Sequence, residues 1–332
     1  MSAPPAAPTM PKPPVAKRFS LAGVMRQPLV GPLAALLIAI IVFSVVADTF
    51  LRPQNLSLIL QQSVVIGILA VGQTMIILTG GIDLSIGAIA VLGTIIMAKV
   101  SGASGALIAL LVTLIVCAIL GGVNGGLVTA LKLPPFIVTL GTYTIIYSAT
   151  QLLAGSATYP VEKGPLTFLG NTIKIGGFTT TYGVVAMILV YIVAWYALSQ
   201  TAGGRHVYAV GGSPESSRLS GIKSDRVLMS VYILAGVIAA IGAWAALGRI
   251  PNADPNAYQN ANLETITAVV IGGTSLFGGR GGVLGTLVGT LIVGVLRNGL
   301  TQAGVDNLYQ NIATGVLVIL AVALDQFARR RN

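Results

Sequence analysis

The sequence predicts an all-α polytopic membrane protein with about ten transmembrane helices, and three observations carry that prediction. Of the 332 residues, 55% are hydrophobic and 8% charged, with a mean hydropathy of +0.88. A soluble domain carries roughly a quarter charged residues. The apolar residues fall into runs of the length a bilayer demands, about twenty residues for a hydrocarbon core about 30 Å thick. The lysines and arginines concentrate on one side of the resulting layout, as the positive-inside rule requires.

Residues 1–28 are rich in Pro and Ala, carry Lys12, Lys17 and Arg18, and read as a disordered cytoplasmic tail. Apolar spans follow near 29–47, 58–79, 83–100, 105–131, 135–154, 181–199, 227–248, 263–277, 283–300 and 308–324, giving a transmembrane unit over 29–324. Val45 and Ala47 resemble a signal-peptidase site. The apolar run before them is longer than a signal core of roughly 7 to 15 residues, so it reads as a retained first span. The eighth span is short and flanked by Gly272, Gly273, Gly278 and Gly279, which marks it as tilted, broken or re-entrant. Residues 325–332 read as a basic cytoplasmic tail.

Ten spans place both termini on one side. With the N-terminus inside, the inner segments hold Lys12, Lys17, Arg18, Arg26, Lys132, Arg205, Arg218, Lys223, Arg226, Arg280, Arg329, Arg330 and Arg331. The outer loops and span ends hold Arg52, Lys99, Lys163, Lys174 and Arg249, with Arg297 alone inside a span. This asymmetry supports cytoplasmic termini. It also accounts for the net charge of +10 without nucleic-acid binding, because the excess follows the loops rather than one folded face. Trp195, Tyr196 and Trp244 fit interfacial belts. Four-residue glycine spacings at Gly121/Gly125, Gly122/Gly126 and Gly281/Gly285/Gly289 read as helix-packing seams.

Several chemistries are excluded by residue supply. One cysteine, Cys117, allows no internal disulfide, and one histidine, His206, allows no His- or Cys-rich metal site. His206 with Asp225 and a serine lacks a nucleophile-elbow motif and reads as a solvated loop histidine. Of nine acidic residues only Asp83 and Glu264 approach a span, each near its end, which disfavours an ion-coupled secondary carrier for a small polar solute, the competing reading. No glycine is followed by lysine, so the chain has no phosphate-binding loop and any nucleotide hydrolysis belongs to another polypeptide.

The polar island over 201–226 gives such a polypeptide a place to act. Ser213 is a good N-cap, Pro214 suits the first helical position, Glu215 complements the helix N-terminus, and Gly221 suits a left-handed C-cap. The predicted helix, Pro214 to Ser220, has two turns and needs a docking partner to be stable. The alternative is a basic loop that only anchors topology.

Four stretches carry a resemblance: GQTMIILTGGIDLSIGAIAVLG from Gly72, GGVNGGLVTALKLPPFIVTLGT from Gly121, GRHVYAVGGSPESSRLSGI from Gly204 and IGGTSLFGGRGGVLGTLVG from Ile271. In this order they resemble the permease subunits of ribose, xylose and inositol-type carbohydrate ABC importers, over about 29–324. The resemblance implies a vitamin B12-importer-like (type II) permease in a bacterial inner membrane, with a second permease chain as homodimer partner. It also implies cytoplasmic ABC ATPase subunits that hold ATP and Mg, a periplasmic sugar-binding protein, and no cofactor on this chain. The coupling helix of such importers maps onto Gly204, Arg205, Ala209, Gly211, Ser213, Arg218, Leu219, Ser220, Gly221 and Ile222. Ser213 stands where the family often has Asn, and either residue caps a helix.

The stretch TGGIDLSIG from Thr79 to Gly87 permits a helix break, tolerated at membrane depth where backbone lines a cavity or lies against protein. Asp83 is either a hydroxyl acceptor on the sugar path or a cap on the third span, and its position at a span start favours the cap. The lining candidates are Gln61, Gln62, Gln73, Asn124, Thr142, Tyr143, Tyr147 and Asn298. For each, the alternative is helix-to-helix hydrogen bonding, worth about 0.6 kcal/mol on average in membranes. Together, uncharged amides and tyrosines suit a neutral polar cargo. The outer loop Leu153 to Thr180 and the loop from Arg249 are the expected landing surface for the binding protein.

Overall fold

The computed structural model of the chain describes residues 29–176 and 178–330. The expected N-terminal tail, residues 1–28, and Arg331 lie outside the described residues. Among the described residues twelve α-helices follow in order: α1 (Val30–Val46), α2 (Pro53–Leu78), α3 (Ile86–Ser104), α4 (Ala106–Ala130), α5 (Pro135–Ala154), α6 (Tyr182–Gln200), α7 (Ala202–Gly212), α8 (Pro214–Leu219), α9 (Ser224–Arg249), α10 (Ala261–Ile271), α11 (Val283–Gln302) and α12 (Asn307–Arg330). Seven of them, α2 to α6, α9 and α11, are long and apolar enough to cross a bilayer. The first, eighth and tenth predicted spans are shorter apolar helices: α1, α10 and the Asn307–Leu320 part of α12.

Boundaries moved where backbone chemistry outweighs apolarity. The second span starts at Pro53, ahead of the expected 58, because proline at the first helical position needs no amide partner. The third starts at Ile86 rather than 83, because Gly80 (φ 81°) breaks the chain and Asp83 holds the turn before the helix. The eighth stops at Ile271, well short of 277. Gly273, Gly278, Gly279 and Gly281 all adopt positive φ beyond it, where helix cannot continue. The last helix carries on through 325–330.

α2 is the central column, with 72% of its apolar window buried, against 22% for α4 and for α5. It packs on α9, α11, α6 and α10, while α4 and α5 keep broad apolar faces uncovered. α9 lies between α2 and α4. At the far end of α9 from α8, two short antiparallel ladders order the loops. β1 (Tyr159–Pro160) pairs with β4 (Asn252–Ala253), in register Tyr159 to Ala253, and β2 (Thr172–Ile175) pairs with β3 (Phe178–Thr181). The loops expected to form one landing surface are therefore clasped together. Trp244 adds to the clasp by donating from Nε1 to the Pro165 carbonyl at 3.0 Å.

The glycine seams divide. A Cβ on Gly121 would lie 2.2 Å from the Tyr232 carbonyl oxygen, and one on Gly236 would lie 2.2 Å from that of Cys117. The α4–α9 contact is thus backbone to backbone, closer than any side chain permits. Gly122 and Gly126 would meet only side-chain atoms at 3.5 and 3.7 Å, so that one of the three predicted seams is incidental. Gly236→Ala should destabilise the detergent-solubilised permease by roughly 1–3 kcal/mol through overpacking. Gly122→Ala should stay within about 0.5 kcal/mol of wild type in the same thermal-unfolding measurement.

Candidate functional site

The polar island folds as two helices rather than one. α8 follows the expected caps: Ser213 Oγ accepts from the Ser216 amide at 3.3 Å, and Gly221 takes φ 84° as Ile222 N bonds back to Ser217 O at 3.0 Å. That is the closing pattern of a left-handed helix end. α7 was not anticipated. Thr201 caps it by accepting from the Gly204 amide at 3.1 Å, and it turns Gly204, Val207, Val210 and Gly211 toward the protein.

The inner face of α7 meets a three-way glycine junction. Leu78 ends α2, so its carbonyl lacks a partner four residues on. Gly279 N donates to that carbonyl at 2.9 Å from the irregular segment between α10 and α11. A Cβ on Gly211 would lie 1.7 Å from the same oxygen and 2.7 Å from Gly279 N, and one on Gly278 would lie 2.8 Å from Gly80 N. Three backbones therefore touch at one point: the end of α7, the break after α2 and the 278–279 turn. Tyr208 on α7 adds a hydrogen bond from its hydroxyl to Gly281 O at 3.0 Å. Desolvation pushes that phenol above its usual range, so it stays protonated as a donor.

On the outer face Arg205, Arg218, Ser220 and Gly221 are exposed, Ala209, Ser213 and Ile222 are half-buried, and Leu219 is 85% exposed. Ten coupling candidates thus separate into an inner set around Gly204 and Gly211 and an outward set around Arg218 and Leu219.

The predicted lining residues do not form one channel. Gln73, Asp83 and Asn124 are fully buried. Asp83 accepts from Ser85 N at 2.6 Å and Ser85 Oγ at 2.7 Å, and Asn124 donates to Ser85 Oγ at 2.8 Å, a closed cluster fixing the start of α3. This is the geometry of a turn-capping aspartate. Asn298 is 4% exposed, Gln61 donates to Ser57 Oγ at 2.8 Å, and Thr142 donates to Thr139 O at 3.3 Å. Tyr143 and Tyr147 stack, with centroids 6.2 Å apart, beside a narrow cleft. Gln62 alone of the candidates reaches a large cavity, about 640 Å³, between α2, α10, α11, α12 and the loop after β4.

Two residues bordering that cavity were missed as partners. Arg297 on α11 donates from Nη1 to Oε1 of Glu264 on α10, the single salt bridge among the described residues. The signal was available: one arginine inside a span needs an acid within reach, and Glu264 was one of only two acids near a span.

Residues 55–322 match a family model described as branched-chain amino acid transport system / permease component. The chain is 45% identical to the fructose import permease of Rhizobium meliloti, covering 92% of this chain and 87% of the relative. It is 39% identical to the ribose import permease of Bacillus subtilis, over 93% and 96% of the two chains. It is 36% identical to the galactose/methyl galactoside import permease of Escherichia coli K12, over 89% and 93%. No solved structure matches it. The family description names amino acids while the near full-length relatives carry sugars, and the near full-length identity is the more specific finding. The chain belongs to this family of ABC import permeases and stands among its carbohydrate importers.

Proposed function

We propose that the chain is one of two identical permease subunits of an ATP-driven importer carrying a monosaccharide or polyol across the bacterial inner membrane into the cytoplasm. The relatives named above carry a fructose, a ribose and a galactose function, and ribose, xylose, another pentose or hexose, or inositol all fall within the proposed cargo. The ten apolar helices act as ten spans with both termini cytoplasmic, in a vitamin B12-importer-like (type II) arrangement. The broad uncovered apolar faces of α4 and α5 suit lipid and a second copy.

One observation carries the reading: a two-helix element whose inner face is locked to the core by backbone contacts while its outer face offers Arg205, Arg218 and a bare Leu219. An apolar knob beside arginines has interface composition. Its partner is a separate cytoplasmic ATPase that holds ATP and Mg; this chain needs no cofactor. A periplasmic sugar-binding protein lands on the clasped β1–β4 loops at the opposite end.

Arg218→Glu and Leu219→Glu should each lower ATPase co-purification and ATP-driven sugar uptake by about tenfold or more, with membrane insertion unchanged. Retention of both properties would place the ATPase elsewhere. Gly278→Ala with Gly279→Ala forces side chains into positive φ and into the Gly211 and Gly80 backbones. That pair should cut uptake by about tenfold while the ATPase still co-purifies, because the docking face is untouched. Uptake at the wild-type level would dissociate the junction from transport.

A further inference from the structure

The 640 Å³ cavity has the dimensions of a small-ligand site, which typically spans about 300–1,000 Å³. It lies at the Arg249 end of α9, about 39 Å of helix away from α8. Its charged lining balances, with Arg249 and Arg297 against Asp254 and Glu264. Such a lining offers an ion no net attraction, while it offers a hydroxyl both donors and acceptors. Amides of Gln62, Asn256, Gln259 and Asn307 extend the same mixed character around the wall.

Both members of the Glu264–Arg297 pair line this cavity. Glu264 has 5% of its side chain exposed and Arg297 has 40%, so the carboxylate is held inside while the guanidinium reaches the cavity. Their hydrogen bond occupies one nitrogen of a guanidinium with five donor hydrogens, and one of two carboxylate oxygens. A charged pair between apolar helices is costly to bury and adds little stability over apolar packing. Here it spans α10 and α11, the helices that flank the 272–282 segment and its contact with α7.

The geometry points to this cavity as a transit site for a neutral polyhydroxylated ligand, with the Glu264–Arg297 pair bonding its hydroxyls as it leaves the binding protein. The inference rests on the importer reading and adds the residues and the ligand chemistry of its path. Weak, two-sided hydrogen bonding also suits a site that must release what it takes.

The test uses the complete importer, permease with its ATPase and binding protein, in proteoliposomes with radiolabelled D-fructose and D-ribose. Glu264→Gln and Arg297→Gln should each reduce uptake at least about tenfold, since each leaves a charge uncompensated. ATP hydrolysis stimulated by the loaded binding protein should stay within about twofold, which a merely unfolded permease would not sustain. Uptake within about twofold of wild type in both variants overturns the inference. Should neither variant assemble, Gln62→Cys decides. The natural Cys117 is buried, so an impermeant methanethiosulfonate added outside should block uptake by Gln62→Cys and spare wild type. Labelled Gln62→Cys that transports like the unlabelled protein also overturns the inference. Failure of the broader reading is separately visible: a wild-type complex that hydrolyses ATP yet accumulates neither sugar contradicts the importer function and this site with it.

Discussion

The hydrogen bond from Gly279 N to the carbonyl of Leu78 is the contact on which the rest of the arrangement depends. A helix that stops inside a protein leaves its last carbonyls without partners, and burying one unpaired costs about 1–3 kcal/mol. Satisfying Leu78 from the segment between α10 and α11 ties together two stretches of irregular backbone that would otherwise be separate liabilities. The same oxygen leaves no room for a side chain at residue 211, so α7 approaches as bare glycine backbone. Motion imposed on α7 and α8 therefore reaches the break after α2 and the 272–282 segment without passing through flexible side chains. Close-packed backbones transmit displacement because they have no slack to absorb it.

From that junction, α2 and α11 run as rigid columns to the opposite end, where both line the cavity that holds the Glu264–Arg297 pair. One end of the molecule presents arginines and a bare leucine. The other presents a balanced polar cavity under a clasp of two strands. The proposed importer, driven by a separate ATPase, needs both ends and a stiff connection between them. The α4–α9 seam supplies part of that stiffness, with Gly121 and Gly236 letting two backbones touch.

What was legible in the sequence was mostly local. The apolar runs marked the helices, and Ser213, Pro214 and Gly221 marked both ends of α8, since each cap depends on a few neighbouring residues. The second helix of the island was not legible. AGGRHVYAVGG contains four glycines, poor helix formers; it becomes helical where Gly204 seats on the end of α6, Val207 and Val210 are buried, and Gly211 meets Leu78 and Gly279, which are distant in sequence. The Glu264–Arg297 pair was hidden for the same reason, its members being 33 residues apart on different helices. Among polar span residues, composition alone did not separate Gln62, which lines the cavity, from Gln73, sealed in the core about three turns further along the same helix. Asp83 was the favourable case, because an aspartate two residues before a serine at a helix start bonds that serine's amide whatever surrounds it.

Hydrogen–deuterium exchange on the reconstituted importer, with and without ATP, tests the junction most directly. Peptides over 201–226, 76–86 and 272–282 report its three arms. The account predicts that nucleotide changes protection in all three together, because they share the Leu78 carbonyl and the glycine contacts around it. A change confined to 201–226, with the break after α2 and the 272–282 segment unaltered, would contradict it.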